Sequence, residues 1–110
     1  MAKNRTELVK GTVDLMILRT LELRQMHGAA IAERIAQITR GTFDIKAGSL
    51  FPALHRLEQR GWVLSEWSVS ADNRRVKTYV LTAAGRRQLS AEKAGWNRVV
   101  AAMNQVLESS

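Results

Sequence analysis

Apolar positions recur at helical spacing through the first quarter of the chain. From about Thr6 to Leu23, the residues Val9, Val13, Met16, Ile17 and Leu21 share one face, and Leu15 and Leu18 widen it; this predicts an amphipathic helix. Gly11 weakens such a helix by about 1 kcal/mol relative to alanine, so something is expected to approach it closely. Met26-His-Gly28 reads as a break. A second helix follows from about Ala29 to Ile38, with Ile31, Ile35 and Ile38 on one face and Gly41 as its stop. Phe43 and Ile45 alternate with polar neighbours as a short extended connection. A third helix spans about Gly48 to Arg60: Leu50, Leu54 and Leu57 form its buried stripe and Gly61 ends it. Pro52 has no amide donor and is expected in or near the first turn.

From Trp62 to Val69 and again from Val76 to Leu81 the pattern changes to β-branched and aromatic residues. The turn formers Ser70-Ala-Asp-Asn-Arg74 lie between, which predicts a hairpin. Thr82 is placed to cap a last helix running to about Leu107. In that helix Leu89, Trp96 and Met103 repeat every seven residues, with Val99, Val100, Val106 and Leu107 beside them. Such a seam seeks another helix, and a second copy of the chain is the simplest partner. Trp62 and Trp67 are expected to pack in the core or the hairpin.

Helix, helix, helix, hairpin, helix is the order of a winged helix-turn-helix with a C-terminal dimerisation helix. The predicted fold is therefore mainly α with a small β-hairpin wing. Residues 1–81 form the DNA-binding part and residues 82–110 the dimerisation helix, together one compact domain. An α-helix fits the major groove, and residues near its N-terminus reach base edges. On the third helix the face opposite the leucines carries Gly48, Pro52, His55 and Gln59, flanked by Ser49 and Arg56. Ser49 and His55 suit hydrogen bonds to bases, Arg56 suits guanine or phosphate, and Pro52 suits a thymine methyl. Phe51 falls between the inner and outer faces. Arg74, Arg75 and Lys77 at the hairpin tip suit phosphates.

The bulk composition agrees without deciding the matter. The 110 residues carry 17 Lys and Arg against 10 Asp and Glu, a net charge of +7, which points to a polyanion such as double-stranded DNA, with an anionic membrane surface as the rival. The charge is spread along the chain and forms no basic tail. The absence of cysteine excludes disulfides and thiolate metal sites. With two histidines, His27 and His55, and no paired ligand spacing, no metal set is visible. No signal-type apolar stretch follows Met1, and Leu15-Met-Ile-Leu18 is too short to cross a bilayer, so a cytoplasmic protein with no membrane partner is expected. Neither a phosphate loop nor a nucleophile elbow occurs. A site built from Ser49, His55 and Asp44 would crowd one helix start with no oxyanion hole. No enzyme and no cofactor are expected.

Several segments, in order and spacing, carry a family resemblance. They are Lys10-Gly-Thr-Val-Asp-Leu-Met-Ile-Leu18, His27-Gly28, Gly48-Ser-Leu-Phe-Pro-Ala-Leu-His-Arg-Leu-Glu58 with Gly61-Trp62, Asn73-Arg-Arg-Val-Lys77, and Tyr79-Val-Leu-Thr-Ala-Ala-Gly85. Over nearly its whole length the chain resembles the PadR family of bacterial transcriptional regulators, in its short branch. It departs from the family at Gly28-Ala29, where Gly-Tyr is usual, and at Phe51-Pro52, where Tyr-Pro is usual. The second change removes a hydroxyl from the DNA-facing helix. The resemblance implies a homodimeric repressor on an inverted repeat, with the third helix in the major groove and the wing on the backbone. It also implies that a small molecule or stress signal acting on the dimer can release DNA in some members. Trp96 then reads either as an interface anchor or as the wall of a pocket for a planar apolar effector. A second function stays open, a winged helix that binds another protein through its apolar last helix. Such a module is expected to carry large apolar or acidic residues on the outer face of the third helix, not Gly48, Ser49, His55 and Arg56.

Overall fold

A computed structural model describes the backbone of residues 2–110 and the side chains from Gly11 onward. Helix α1 spans Ala2–Leu23, strand β1 Met26–His27, helix α2 Gly28–Ile38 and helix α3 Ala47–Gln59. Strands β2 (Val63–Val69) and β3 (Arg75–Leu81) form the hairpin, and helix α4 runs over Ala83–Glu108. The molecule is mainly helical with a small wing, as the hydrophobic pattern predicts. Val9, assigned to the α1 stripe, has its side chain outside the described residues.

Met26–His27, Pro52 and Gly11 differ from the sequence expectation. Met26–His27, read as a plain break, pairs antiparallel with β3, Met26 opposite Tyr79 and His27 opposite Thr78, which gives a three-stranded sheet in the order β1-β3-β2. Two residues are too few to show a strand period, so only the tertiary pairing reveals it. Phe43 and Ile45 lie in the connection between α2 and α3, as expected. Pro52 is the sixth residue of α3, in its second turn rather than its first; the carbonyl it leaves unbonded belongs to Gly48, which is exposed. Gly11 has nothing within 4 Å of the position a Cβ would take, so no part of the described chain makes the close approach expected there.

The core gathers one face of every element. Ile17 and Leu18 of α1, Ile31 of α2, Leu54 and Leu57 of α3 and Val63 of β2 are wholly buried, and Tyr79, Leu81 and Leu89 close over them. Local geometry fixes the joints. Helix α3 ends in a Schellman motif: the Trp62 amide donates to Leu57 O at 3.0 Å and the Gly61 amide to Glu58 O at 3.0 Å, with Gly61 at φ +75°. Thr82 caps α4 by accepting from the Gly85 amide at 3.0 Å, and its hydroxyl reaches back to Gly61 O at 2.7 Å. Gly85 lies so close beneath Trp62 that an added Cβ would sit 2.1 Å from the Trp62 carbonyl oxygen. The wing base and the start of α4 are thereby locked together. At the hairpin tip Asn73 takes the left-handed conformation at φ 64°, and the Ser70 amide donates to Arg74 O at 2.8 Å.

Only the first turns of α4 belong to this core. Leu89 is 1% exposed, packed within the same chain. Its assignment to a dimer seam is therefore corrected: a seven-residue spacing shows that Leu89 seeks an apolar partner but not from which chain. Beyond it α4 projects, and the molecule extends 59 × 28 × 25 Å.

Candidate nucleic-acid interface

Helix α3 turns Leu50, Ala53, Leu54 and Leu57 into the core. By the 3.6-residue period the opposite face is left to solvent, and Gly48, Ser49, Phe51, Pro52 and His55 are all exposed. No side chain caps the helix start: Lys46 at the N-cap makes no such bond, and its Nζ instead meets Asp44 Oδ2 at 2.7 Å. The Ser49 amide donates to Lys46 O at 2.9 Å, which leaves the amides of Ala47 and Gly48 to an outside acceptor, on the positive end of the helix dipole. Phe51 is half-exposed, with its ring edge on Gly28, where an added Cβ would meet Phe51 Cε1 at 2.8 Å.

Arg56 departs from the expected arrangement. Its Nη2 donates to Asp14 Oδ1 of α1 at 2.8 Å, and the two side chains are 28% and 13% exposed. The expected outward-facing base reader is here a strut between α1 and α3. The physical reason is Asp14, a carboxylate set among core residues of α1, which requires a cation within reach.

The wing carries the remaining assigned cations. The face of the hairpin that holds Val63, Tyr79 and Leu81 in the core emerges towards the tip as Trp67, Lys77 and Arg75. Strand alternation requires this, with Trp67 opposite Lys77 and Val69 opposite Arg75. Arg74 lies at the turn, 3.9 Å from Asp72. Trp67, expected to pack in the core or hairpin, is 59% exposed and lies under two cations. The Arg75 guanidinium carbon is 4.5 Å from its ring centroid and Lys77 Nζ is 5.5 Å from it. Trp62, half-buried, does pack against the core, with Arg60 over its ring at 5.2 Å.

Wing and helix meet across a groove of about 460 Å³ whose walls include Phe51 and His55 of α3, Trp67, Arg75 and Lys77 of the wing, and His27 of β1. Of the assigned DNA-binding residues, Phe51, His55, Arg75 and Lys77 are brought together here. Ser49 and Pro52 lie on the same helix face, Arg74 stands out at the turn, and Arg56 is drawn away. Sequence reasoning missed His27, Trp67 and Tyr79 as groove residues; for Trp67 and Tyr79 the signal was the period-two alternation shared with Arg75 and Lys77. Tyr79 is held above the ordinary tyrosine pKa by its burial and then by the Glu58 carboxylate, so it stays a neutral phenol. Glu58 in turn accepts from Ser65 Oγ at 2.6 Å, joining α3 to β2.

The second assigned surface is the free part of α4. Trp96, Val99, Val100, Met103, Val106 and Leu107 are between 39% and 74% exposed and fall on a continuous helical stripe. Trp96 also borders a groove of about 300 Å³ walled by Leu15, Met16, Ile35 and Ile38. Ile38, expected in the α2 core face, is exposed at this edge. Among the described residues no group of three or more His, Cys, Asp or Glu is placed to hold a metal ion, and no helix is long and apolar enough to cross a membrane.

The model of the PadR-like family of transcriptional regulators matches residues 17–91, from the middle of α1 through the wing to the first turns of α4. The chain belongs to the PadR-like family. It is 33% identical over 87 residues to transcriptional regulator Rv3488 of Mycobacterium tuberculosis, covering 79% of this chain and 78% of that one. A PadR family transcription regulator from Clostridium difficile superposes with a TM-score of 0.75 at 32% identity, covering 86% of this chain and 97% of that one. A PadR family transcriptional regulator from Eggerthella lenta gives a TM-score of 0.81 at 28% identity, covering 99% and 93%. This PadR-family chain is accordingly a winged-helix DNA-binding regulator of transcription and not an enzyme.

Proposed function

We propose that this PadR-family regulator acts as a homodimeric repressor on an inverted-repeat operator, with α3 in the major groove and the wing on the phosphate backbone. The observation that carries this reading is the pairing of two free surfaces on one chain. An α3 face of small and hydrogen-bonding side chains shares a groove with unneutralised wing cations, and a bare apolar stripe runs along α4. Ser49, His55 and Pro52 read base edges, with Phe51 at their margin. Arg74, Arg75 and Lys77 contact phosphates, and Arg56 holds α3 at its angle to α1. Residues 1–81 carry the DNA contacts, and α4 beyond Leu89 joins the two copies through Trp96, Val99, Val100, Met103, Val106 and Leu107. Each such side chain contributes roughly 1.5–3 kcal/mol if fully covered. A second copy covers the stripe with an identical one, as two-fold symmetry requires. The Trp96 groove is the place for a planar apolar effector at that interface, and the compartment is the cytoplasm.

Gel-shift titrations on a selected operator and on random DNA, across a salt series, test the assignment. Affinity should fall with salt at a log–log slope of about −0.9 per phosphate neutralised. Ser49→Ala and His55→Ala should each cost about 1–3 kcal/mol on the operator and much less on random DNA, whereas Arg75→Ala should weaken both alike and flatten the slope by about one. Absence of DNA binding at every salt concentration would favour a protein-interaction module instead.

A further inference from the structure

We propose that Trp67 is a positioning residue for DNA binding, its exposed indole face holding Arg75 and Lys77 in the groove beside α3 without neutralising either. The proposal rests on the reading of the wing as the phosphate-contacting element. Trp67 is 59% exposed, so the core does not account for it, yet both faces of its position are specified. Strand register sets it directly opposite Lys77 and diagonal to Arg75. The two cations lie 5.5 and 4.5 Å from the ring centroid, within the range of a cation–π interaction.

The contrast with other cations of the chain gives this arrangement its meaning. Arg56 is engaged by Asp14, Lys46 by Asp44, Arg19 by Glu22, and Arg74 lies near Asp72. Each carboxylate that orders a cation also cancels its charge. Among the described residues no carboxylate forms an ion pair with Arg75 or Lys77. An aromatic quadrupole restricts a long side chain while leaving its full charge to the solvent side. Two charges ordered before contact lose less freedom when a phosphate arrives. Both project into the groove that Phe51 and His55 of α3 also line, so the ordering is directed at the strand of DNA between the two elements.

Trp67 bears no charge, and this separates it from the residues it orders. Trp67→Leu keeps apolar bulk but removes the ring; operator and random DNA should both weaken by a similar factor, about three- to tenfold, the equivalent of one exposed cation–π contact or two. The salt slope should stay at the wild-type value because the same phosphates are neutralised. Trp67→Phe, which retains a ring, should recover most of the affinity. Without any DNA, the Arg75 δ and Lys77 ε protons should show upfield ring-current shifts that Trp67→Leu abolishes. Melting curves of both variants confirm that the chain is folded at the assay temperature. A hairpin role alone would lower the melting temperature and leave folded-state affinity unchanged. Wild-type affinity in folded Trp67→Leu would overturn the proposal, as would a loss confined to the operator, which would make Trp67 a base reader. If instead Arg75→Ala leaves the salt slope unaltered while the ring-current shifts are present, the wing reading has failed and the proposed purpose of the stacking falls with it.

Discussion

Replacing Arg56 by alanine should be a stability mutation before it is a DNA-binding one. The guanidinium meets Asp14 at 2.8 Å across the α1–α3 contact, with the carboxylate side chain only 13% exposed. At that separation the Coulomb attraction is about 6 kcal/mol for an effective dielectric near 20, most of it offset by the desolvation of both groups. Removing one partner of a fully buried pair costs about 3–5 kcal/mol because the other charge stays buried. The Arg56 side chain is 28% exposed, so water can partly reach the vacated site and the cost falls to about 2–3 kcal/mol. For a chain of 110 residues this lowers the melting temperature by roughly 8–12 °C. Asp14→Ala should cost less, about 1 kcal/mol, because the long Arg56 side chain can turn out to solvent. In the double variant the two costs should fall short of additivity by about 1–2 kcal/mol. Thermal melts of the wild type, both single variants and the double variant complete the cycle. The reasoning is refuted if Arg56→Ala melts within about 1 °C of wild type while losing discrimination between operator and random DNA. Arg56 would then be a base reader whose pairing with Asp14 is incidental.

Gly85→Ala should destabilise by about 2 kcal/mol or more although alanine is the better helix former, because its Cβ would sit 2.1 Å from the Trp62 carbonyl oxygen; an unchanged or raised melting temperature would show that the α4 start shifts freely. Tyr79 is the chain's single tyrosine, so absorbance at 295 nm follows it alone. Its midpoint should lie above the ordinary 10.0, because burial and Glu58 disfavour the phenolate. The unfolded chain then ionises first, and stability should hold below about pH 10 and decline above it; a midpoint at or below 10.0 would contradict the packing of Tyr79. Val100→Asp and Met103→Asp place a charge on the exposed α4 stripe and should yield folded monomers by light scattering, whereas dimers of unchanged mass would move the interface elsewhere.

The architecture was legible in the sequence because period and punctuation agree at the four helices and the two wing strands, and only the two-residue β1 escaped it. The leucines at 50, 54 and 57, the Gly61 stop, the alternating wing strands and the Thr82 cap all specify local structure, and all are observed. The misplaced residues are those whose partners lie far along the chain. Arg56 sits 42 positions from Asp14, beyond any local pattern. A lone carboxylate beside Val13, Ile17 and Leu18 was nonetheless a signal that some cation must come to it. Leu89 shares its spacing with Trp96 and Met103, and only the packing of α4 onto α1 shows that the first of the three belongs to the fold and the others lie outside it. Trp67 illustrates a third case. Its composition suggests core, while its register places it where the sheet leaves the core and the basic tip begins.

The central claim is that two copies place two α3 helices into successive major-groove faces of one DNA. Hydroxyl-radical footprinting on genomic fragments selected by the protein tests it most directly. The account predicts symmetric protection on both strands about a two-fold axis, with half-site centres about one helical turn, roughly 10 base pairs, apart. Val100→Asp should abolish the paired pattern at concentrations that saturate the wild type. A single asymmetric protected patch, or an unaltered paired footprint from a chain shown to be monomeric, would contradict it.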